Sequence, residues 1–377
     1  MANIIVDIRL LSKGGSSGIE EYTCSLVDKL LELDGENRYT FFYNGFNKVP
    51  LSEARPGSTI TNRRIPNKLL DFSLKFLQWP KIENLTSANH QDSLIFSPHF
   101  NIIRTKLPHV MTFHDLSFLH YPEFFPIRKK FWHWMQDYKN QARKAQKIIA
   151  VSEFTKSDLV DFLKIPEEKI KIIYSGVNPS FRKLLPDDAG LLAAKEKYNL
   201  KRPFILYLGT IEPRKNVIAL IHAFNLLKDA AHFKELELVI AGGIGWLSEE
   251  TMREARSSKY CNDIKFIGVI PTGERVHVYN LASVFAYPSF FEGFGFPPLE
   301  AQACGVPVVA SNRTSLPEIL GDSAALIDPW RVLELADAVR KILLSSQAKE
   351  DLTIRGYENA KKFSWDKTAR ETIKLLV

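Results

Sequence analysis

The chain has 377 residues, 45% of them hydrophobic and 25% charged, a globular balance that excludes a disordered or low-complexity protein. That length exceeds what one hydrophobic core fills, so two domains are expected. The three cysteines, Cys24, Cys261 and Cys304, have no metal-ligand spacing and would leave one over from any disulfide, as in a cytosolic protein.

The N-terminus, Met1-Ala-Asn-Ile-Ile-Val-Asp-Ile-Arg9, carries charge inside its apolar run and reads as a first strand rather than a signal peptide. No window reaches about 18 uncharged apolar residues, so no membrane span is expected. Strand and helix patterns then alternate. Residues 3–8 read as a strand, a glycine-rich loop follows, and residues 19–33 have helical apolar spacing. Further strands are expected at 38–43, 93–97 and 109–113, with 46–92 mostly irregular. Residues 127–145 read as one basic helix. A strand at 147–151 leads to Ser152, a helix cap for 153–163, and residues 169–174 form another strand.

A polar stretch with Pro186, Asp187, Asp188 and Pro203 marks the domain boundary, near 180–202. The alternation then resumes, with strands at 204–208, 237–241, 264–267, 284–287, 307–310 and 324–327. Helices are expected at 217–227, 273–281, 298–303, 332–344, 348–362 and 365–375. This order implies parallel sheets in two Rossmann-like domains.

The net charge of +7 is uneven. Residues 1–183 hold 26 Lys/Arg against 19 Asp/Glu, and the remainder holds 24 of each. Within residues 51–147 the balance is 15 to 7, interleaved with Phe72, Phe76, Trp79, Phe131, Trp132 and Trp134. Such a face is either a solvated basic surface or one drawn to an anionic membrane or a phosphate-bearing acceptor. No nucleic-acid motif accompanies the charge, so nucleic acid is not an expected partner.

The most informative stretch is Tyr287-Pro-Ser-Phe-Phe-Glu-Gly-Phe-Gly-Phe-Pro-Pro-Leu-Glu300. It places Glu292 in a loop at the carboxyl end of a strand and Glu300 in the first turn of a helix beginning at Pro298. Both then face the crevice where open α/β sheets hold ligands, and nearby N–H groups favour an anion such as a phosphate. Lys215, in the turn Glu212-Pro-Arg-Lys215, lies just beyond another strand. His114-Asp115 ends the strand at 109–113, and His99 is a weaker candidate for the same crevice. The loop Gly14-Gly-Ser-Ser-Gly18 departs from Gly-x-Gly-x-x-Gly; Gly14, Gly15 and Gly18 would let an acceptor or phosphate approach the backbone.

Glu292 and Glu300, with the sequence from Ser289 to Ser311 around them, resemble the Glu-x7-Glu motif of the retaining GT-B glycosyltransferases, in particular glycosyltransferase family 4. Leu208-Gly-Thr-Ile-Glu-Pro-Arg-Lys-Asn216 and Thr112-Phe-His-Asp-Leu-Ser-Phe118 are similar to further family motifs, and the resemblance spans the chain. It implies a GT-B fold, two Rossmann-like domains facing each other across a cleft. The acceptor domain would be 1–183, with 363–377 crossing back, and the nucleotide-sugar domain 184–362. By carry-over Glu300 binds the ribose hydroxyls, Glu292 the transferred sugar, and the backbone of Gly293, Phe294 and Gly295 the sugar or phosphate. Lys215 neutralises the leaving diphosphate and His114 lies beside the transferred sugar, while Asp115 fixes the imidazole tautomer or touches the acceptor. Thr210 stands where many members carry an arginine, and Arg214 is the candidate to replace it. Glu318 matches a glutamate near the donor base or phosphate, although helix capping explains it equally well.

The resemblance thus implies a retaining hexosyltransferase, with mannose from GDP-mannose favoured. The acceptor would be a glycan or lipid-linked glycan in surface polysaccharide (lipopolysaccharide) synthesis. No Asp-x-Asp occurs in the chain, so no metal or other cofactor is expected. The expected location is cytoplasmic, either free or peripheral at the inner face of a membrane. The rival readings are another GT-B enzyme, an epimerase or phosphorylase, and a non-catalytic nucleotide-sugar-binding protein. The Glu-x7-Glu context and the His114-Asp115 turn argue against the first, and the joint presence of Glu292, Glu300, Lys215 and His114 argues against the second.

Overall fold

The computed structural model describes residues 2–13, 17–46, 49, 58–86 and 93–377. Seven strands form the first sheet: β1 (Asn3–Asp7), β2 (Arg38–Tyr43), β3 (Ser58–Asn62), β4 (Ser93–Ser97), β5 (His109–Phe113), β6 (Lys147–Ala150) and β7 (Ile170–Ile172). Six form the second: β8 (Phe204–Leu208), β9 (Glu237–Ala241), β10 (Ile264–Gly268), β11 (Val284–Tyr287), β12 (Val308–Ser311) and β13 (Ala325–Ile327). The strand orders are β3-β2-β1-β4-β5-β6-β7 and β10-β9-β8-β11-β12-β13, and every pairing is parallel. The central strands are rich in Val, Ile, Leu and Phe and buried along nearly their whole length, as helix-covered parallel sheets require. Two Rossmann-like α/β units are therefore present, as the alternation implied.

The chain divides into one unit of Met1–His120, Ile127–Gly176 and Ser364–Val377, and a second of Tyr121–Pro126 and Val177–Phe363. In the first, the terminal helix Trp365–Leu376 packs on the helix Gly18–Leu33, with Trp365 edge-on to Tyr22 at 5.6 Å. A Cβ at Gly176 would collide with the backbone of Ser364 and Trp365, so the close approach there needs glycine. In the second unit, the short segment Tyr121–Pro126 is anchored by the Trp246 indole, which donates to the Phe124 carbonyl at 2.7 Å. Among the described residues no helix is long and apolar enough to cross a membrane.

Several expectations need correction. The irregular 46–92 stretch contains β3 on the sheet edge, a helix at Asn67–Phe72, a π-helical turn at Ser73–Leu77 and a 3-10 turn at Ile82–Leu85. The basic helix of 127–145 is two helices, Ile127–Met135 and Tyr138–Lys144, broken at Asp137 with φ 52°. The Asp137 carboxylate holds Lys75 and Arg104 at 3.0 and 3.2 Å and Asn140 at 2.9 Å, and these bonds hold the break in place. The polar boundary stretch contains the helix Ala189–Lys197, capped by Asp188, which accepts from the N–H groups of Gly190 and Leu191.

In both sheets the strand order reverses at the first strand, so β1 and β4 flank one switch point and β8 and β11 the other. In the first sheet the two sides are stitched by Arg9, which follows β1. Its guanidinium grips Asp7 through two bonds of 2.9 and 2.7 Å and donates to the Ile102 carbonyl, beyond β4, at 2.8 Å. Asp7 and Arg9 are both buried. Asp7→Ala would leave that guanidinium only the more distant Asp71 carboxylate, at 3.7 Å, and we expect a loss of about 3–5 kcal/mol in chemical denaturation. The double variant Asp7→Ala/Arg9→Met should recover most of it. Full stability of the single variant would contradict the pairing.

Candidate active site

The site in the second unit is assembled at the carboxyl ends of the two switch-point strands. Beyond β8 the chain makes a single 3-10 turn, Pro213–Lys215, and Asn216 takes the left-handed conformation that starts the helix Val217–Lys228. Beyond β11 the loop runs to Gly295, whose φ of 99° turns it into the helix Phe296–Ala303. The positive φ is what favours glycine there, and a Cβ would in addition press on the Leu316 Cδ2 methyl at 2.6 Å. The helix starts two residues earlier than the sequence suggested. Pro297 and Pro298 both lie in its first turn, and Glu300 is its fifth residue rather than a first-turn one.

The two loops are tied backbone to backbone, Phe290 N–H donating to the Arg214 carbonyl at 2.9 Å. Ser315, after β12, donates to the carbonyls of Glu292 and Phe294, and Thr314 Oγ1 accepts from Glu292 N–H at 3.0 Å. This frame brings Glu292, Lys215 and Arg214 together. Lys215 Nζ donates to Glu292 Oε1 at 2.7 Å and to the Tyr287 hydroxyl at 2.7 Å. Arg214 Nη1 donates to the Phe291 carbonyl at 2.8 Å and lies 3.3 Å from Glu292 Oε2. Arg214 also binds Glu212 through Nε and Nη2 at 3.1 and 2.8 Å. Each Glu292 oxygen thus carries one cation.

Glu292, Lys215 and Glu212 are all buried. Burial alone would push the Glu292 carboxyl up, but Lys215 and Arg214 outweigh it and hold it below the usual carboxylate range. The Tyr287 phenol is pushed well above its ordinary range by burial and by Glu292, so it stays protonated against Lys215. Glu300 lies deeper and accepts the Tyr279 hydroxyl on Oε2 at 2.8 Å.

The remaining sequence candidates are distributed as follows. Gly293 and Phe294 are buried in the loop with Glu292. Thr210 is exposed and uncharged, with its carbonyl accepting the Tyr207 hydroxyl at 3.1 Å. Glu318 is exposed in the first turn of the helix Leu316–Leu320. The sequence reading passed over Tyr287, Tyr279, Glu212, Thr314 and Ser315. Tyr287 opens the key stretch, and its position at the end of a strand was the available signal.

In the first unit His114 follows β5 and is buried, edge-on to Tyr22 at 4.6 Å. Its Nε2 bonds the Pro98 carbonyl at 2.7 Å, which makes Nε2 the protonated nitrogen and Nδ1 the acceptor. Burial pulls its pKa down to about 4, so the ring is neutral at pH 7. Asp115 does not set this tautomer as expected: its Oδ1 accepts from Ser117 N–H and Oγ at 3.0 and 2.7 Å. His99 is buried 5.9 Å from His114 and stacks on Trp132. Gly18 is the first residue of the helix Gly18–Leu33, whose Ser17 cap forms a reciprocal box with Glu20, so it belongs to the helix rather than to a loop. Gly14 and Gly15 lie outside the described residues.

Family models match both halves of the chain. The one described as Glycosyltransferase Family 4 covers residues 16–181, and the one described as Glycosyl transferases group 1 covers 191–360. The chain is 30% identical over 368 residues to the O-antigen chain mannosyltransferase B of Escherichia coli, spanning 95% of each protein. Among solved structures, the sucrose-phosphate synthase of Thermosynechococcus elongatus matches all of this chain and 98% of its own, with TM-score 0.78 and 19% identity. Anabaena HepE in complex with UDP-glucose matches over 100% of both chains, with TM-score 0.75 and 17% identity.

Two measurements test the geometry. In the unfolded chain an imidazole titrates near 6.5, whereas His114 in the fold titrates near 4. The unfolded chain therefore takes up the proton first as pH falls. The stability is fully present above about pH 6.5 and is lost towards pH 4. Between pH 7 and pH 5 this single ring should cost roughly 2 kcal/mol. His114→Gln should flatten the urea-midpoint profile by that amount, and an unchanged profile would refute the assignment. Tyr287→Phe, which removes one partner of the Lys215 ammonium, should lower stability by about 1 kcal/mol; no change in the denaturation midpoint would contradict the contact.

Proposed function

The chain belongs to glycosyltransferase family 4, and from that premise we propose that it moves mannose from GDP-mannose onto a lipid-linked glycan in surface polysaccharide synthesis, with retention of configuration. The mannosyl and polysaccharide parts are supported by the Escherichia coli O-antigen mannosyltransferase aligned along almost the whole chain. The observation that carries the catalytic part is the convergence of Lys215 and Arg214 on one buried carboxylate at a switch point of a parallel sheet.

In this reading the bond between the anomeric carbon and the diphosphate oxygen breaks and GDP departs with the electron pair. An acceptor hydroxyl oxygen bonds the same face of the sugar, and its proton passes to the departing phosphate. Lys215 and Arg214 stabilise the negative charge that grows on the diphosphate, aided by N–H groups of the glycine turn. That set of charges takes the place of a metal ion. Glu292 keeps the two cations aimed and accepts the sugar hydroxyls. Glu300 accepts the ribose hydroxyls, steadied by Tyr279. His114, neutral and with Nδ1 as acceptor, receives a sugar hydroxyl. Catalysis is then positioning and charge stabilisation rather than a protein nucleophile.

GDP release from GDP-mannose in the presence of a lipid-diphosphate acceptor tests the donor, with UDP- and dTDP-sugars as controls. Lys215→Ala should lower kcat by about 10²–10³. Glu300→Ala should weaken nucleotide binding in calorimetry, whereas Glu292→Ala should mainly lower turnover. Equal nucleotide affinity of wild type and Glu300→Ala would overturn the ribose assignment, and nucleotide release from no donor would favour a binding protein.

A further inference from the structure

Six residues from the first half of the chain are built into the second unit. The chain leaves the first unit after His120, contributes Tyr121–Pro126 to the second, and returns at Ile127. This strap is short and stiff: Pro122 and Pro126 fix the backbone near each end, and Pro122–Phe124 makes one 3-10 turn. Phe125 is buried 5.8 Å from the Trp246 ring, whose N–H donates to the Phe124 carbonyl at 2.7 Å. Trp246 is itself held, because the residues before it pair with the backbone of Ile211. Ile211 N–H donates to the Gly243 carbonyl at 2.9 Å, and Gly245 N–H donates to the Ile211 carbonyl at 3.0 Å. The strap therefore hangs from the same strand-end turn that leads into Glu212, Arg214 and Lys215.

The strap also meets the loop that carries Glu292. Phe124 stacks on Tyr121 at 5.0 Å and on Phe290 at 5.8 Å, and Tyr121 lies edge-on to Phe291 at 6.3 Å. Phe290 has Trp330 as a further ring neighbour at 4.2 Å. The Trp330 loop is tied back towards the cation turn by Asn216, whose amide donates to the Pro329 carbonyl at 2.8 Å. Phe290 and Phe291 immediately precede Glu292, in a stretch that is neither helix nor strand. Hydrogen bonds to Arg214, Thr314 and Ser315 hold the backbone of that stretch, and the strap packs on its side chains. Without the strap's rings Phe290 and Phe291 would lose part of their packing, and the loop could carry Glu292 away from Lys215. A carboxylate set 2.7 Å from an ammonium tolerates little such movement, because a misplacement of about 1 Å can cost about a hundredfold in rate.

We propose that Tyr121–Pro126 is a positioning strap for the Glu292 loop, with Phe124 and Trp246 as its positioning residues. Its part in turnover rests on the transferase reading above, whereas its hold on the loop does not. The experiment pairs hydrogen–deuterium exchange over residues 288–295 of the full chain with kcat and calorimetric GDP affinity. Phe124→Ala should speed exchange of the Phe290 and Glu292 amides about tenfold and lower kcat about tenfold. Trp246→Phe, which keeps a ring and removes the indole N–H, should act in the same direction by about fivefold. Phe124→Tyr, which keeps the ring, should recover most of both losses. GDP affinity should stay within about twofold of wild type, because Glu300 is held by Tyr279, outside this stack. Unchanged exchange in both Phe124→Ala and Trp246→Phe would overturn the proposal. So would a loss of GDP affinity and a rise in exchange throughout the second unit that match the loss of kcat, since these mark general destabilisation. Faster exchange at the two amides with unchanged kcat would remove the strap's part in the reaction. If wild type releases nucleotide from no donor, the transferase reading falls, and the exchange result alone decides whether the strap holds the loop.

Discussion

The candidate site depends on one buried carboxylate shared by two cations. An ammonium or guanidinium withdrawn from water costs several kcal/mol unless it is paired and hydrogen-bonded. Glu292 supplies the counter-charge to Lys215 on one oxygen and Arg214 on the other, and Glu212 takes the rest of the guanidinium. The loop that carries Glu292 is fixed by Thr314, Ser315 and the Arg214 carbonyl rather than by its own conformation. The positive charges are consequently aimed before a substrate arrives, which is the condition under which electrostatic stabilisation costs no reorganisation at the moment of reaction.

The first unit repeats this device in simpler form. At its switch point Arg9, after β1, is neutralised by Asp7 and bound to the Ile102 carbonyl beyond β4. Around it the polar groups are different. Burial pulls His109, His114 and His133 down to about 4, so this region presents neutral imidazoles at pH 7.

Much of this was legible in the chain because its signals are local. The run from Tyr287 to Glu300 sets Glu292 in a strand-end loop and Glu300 in the next helix, and Lys215 and His114 each follow a strand by a few residues. What escaped were features made by distant partners. The direction of Arg214 depends on Glu292, 78 positions away, and the break at Asp137 depends on Lys75, 62 positions away. Tyr287 and Tyr279 are not singled out by the sequence, since nothing nearby in the chain shows that their hydroxyls meet Lys215 and Glu300. The edge strand Ser-Thr-Ile-Thr-Asn lacks the apolar run of the central strands, and only its pairing with β2 reveals it. Asp188 read as part of a linker, although it caps a helix.

Whether Glu292 acts through Lys215 is measured most directly by a double-mutant cycle in kcat on Lys215→Ala, Glu292→Ala and the pair. If the carboxylate works in part by aiming the ammonium, Glu292→Ala should cost less in the Lys215→Ala background than in the wild type, with a coupling energy of about 1–3 kcal/mol. Additive losses in the double variant would mean that the two residues act separately and would contradict the account.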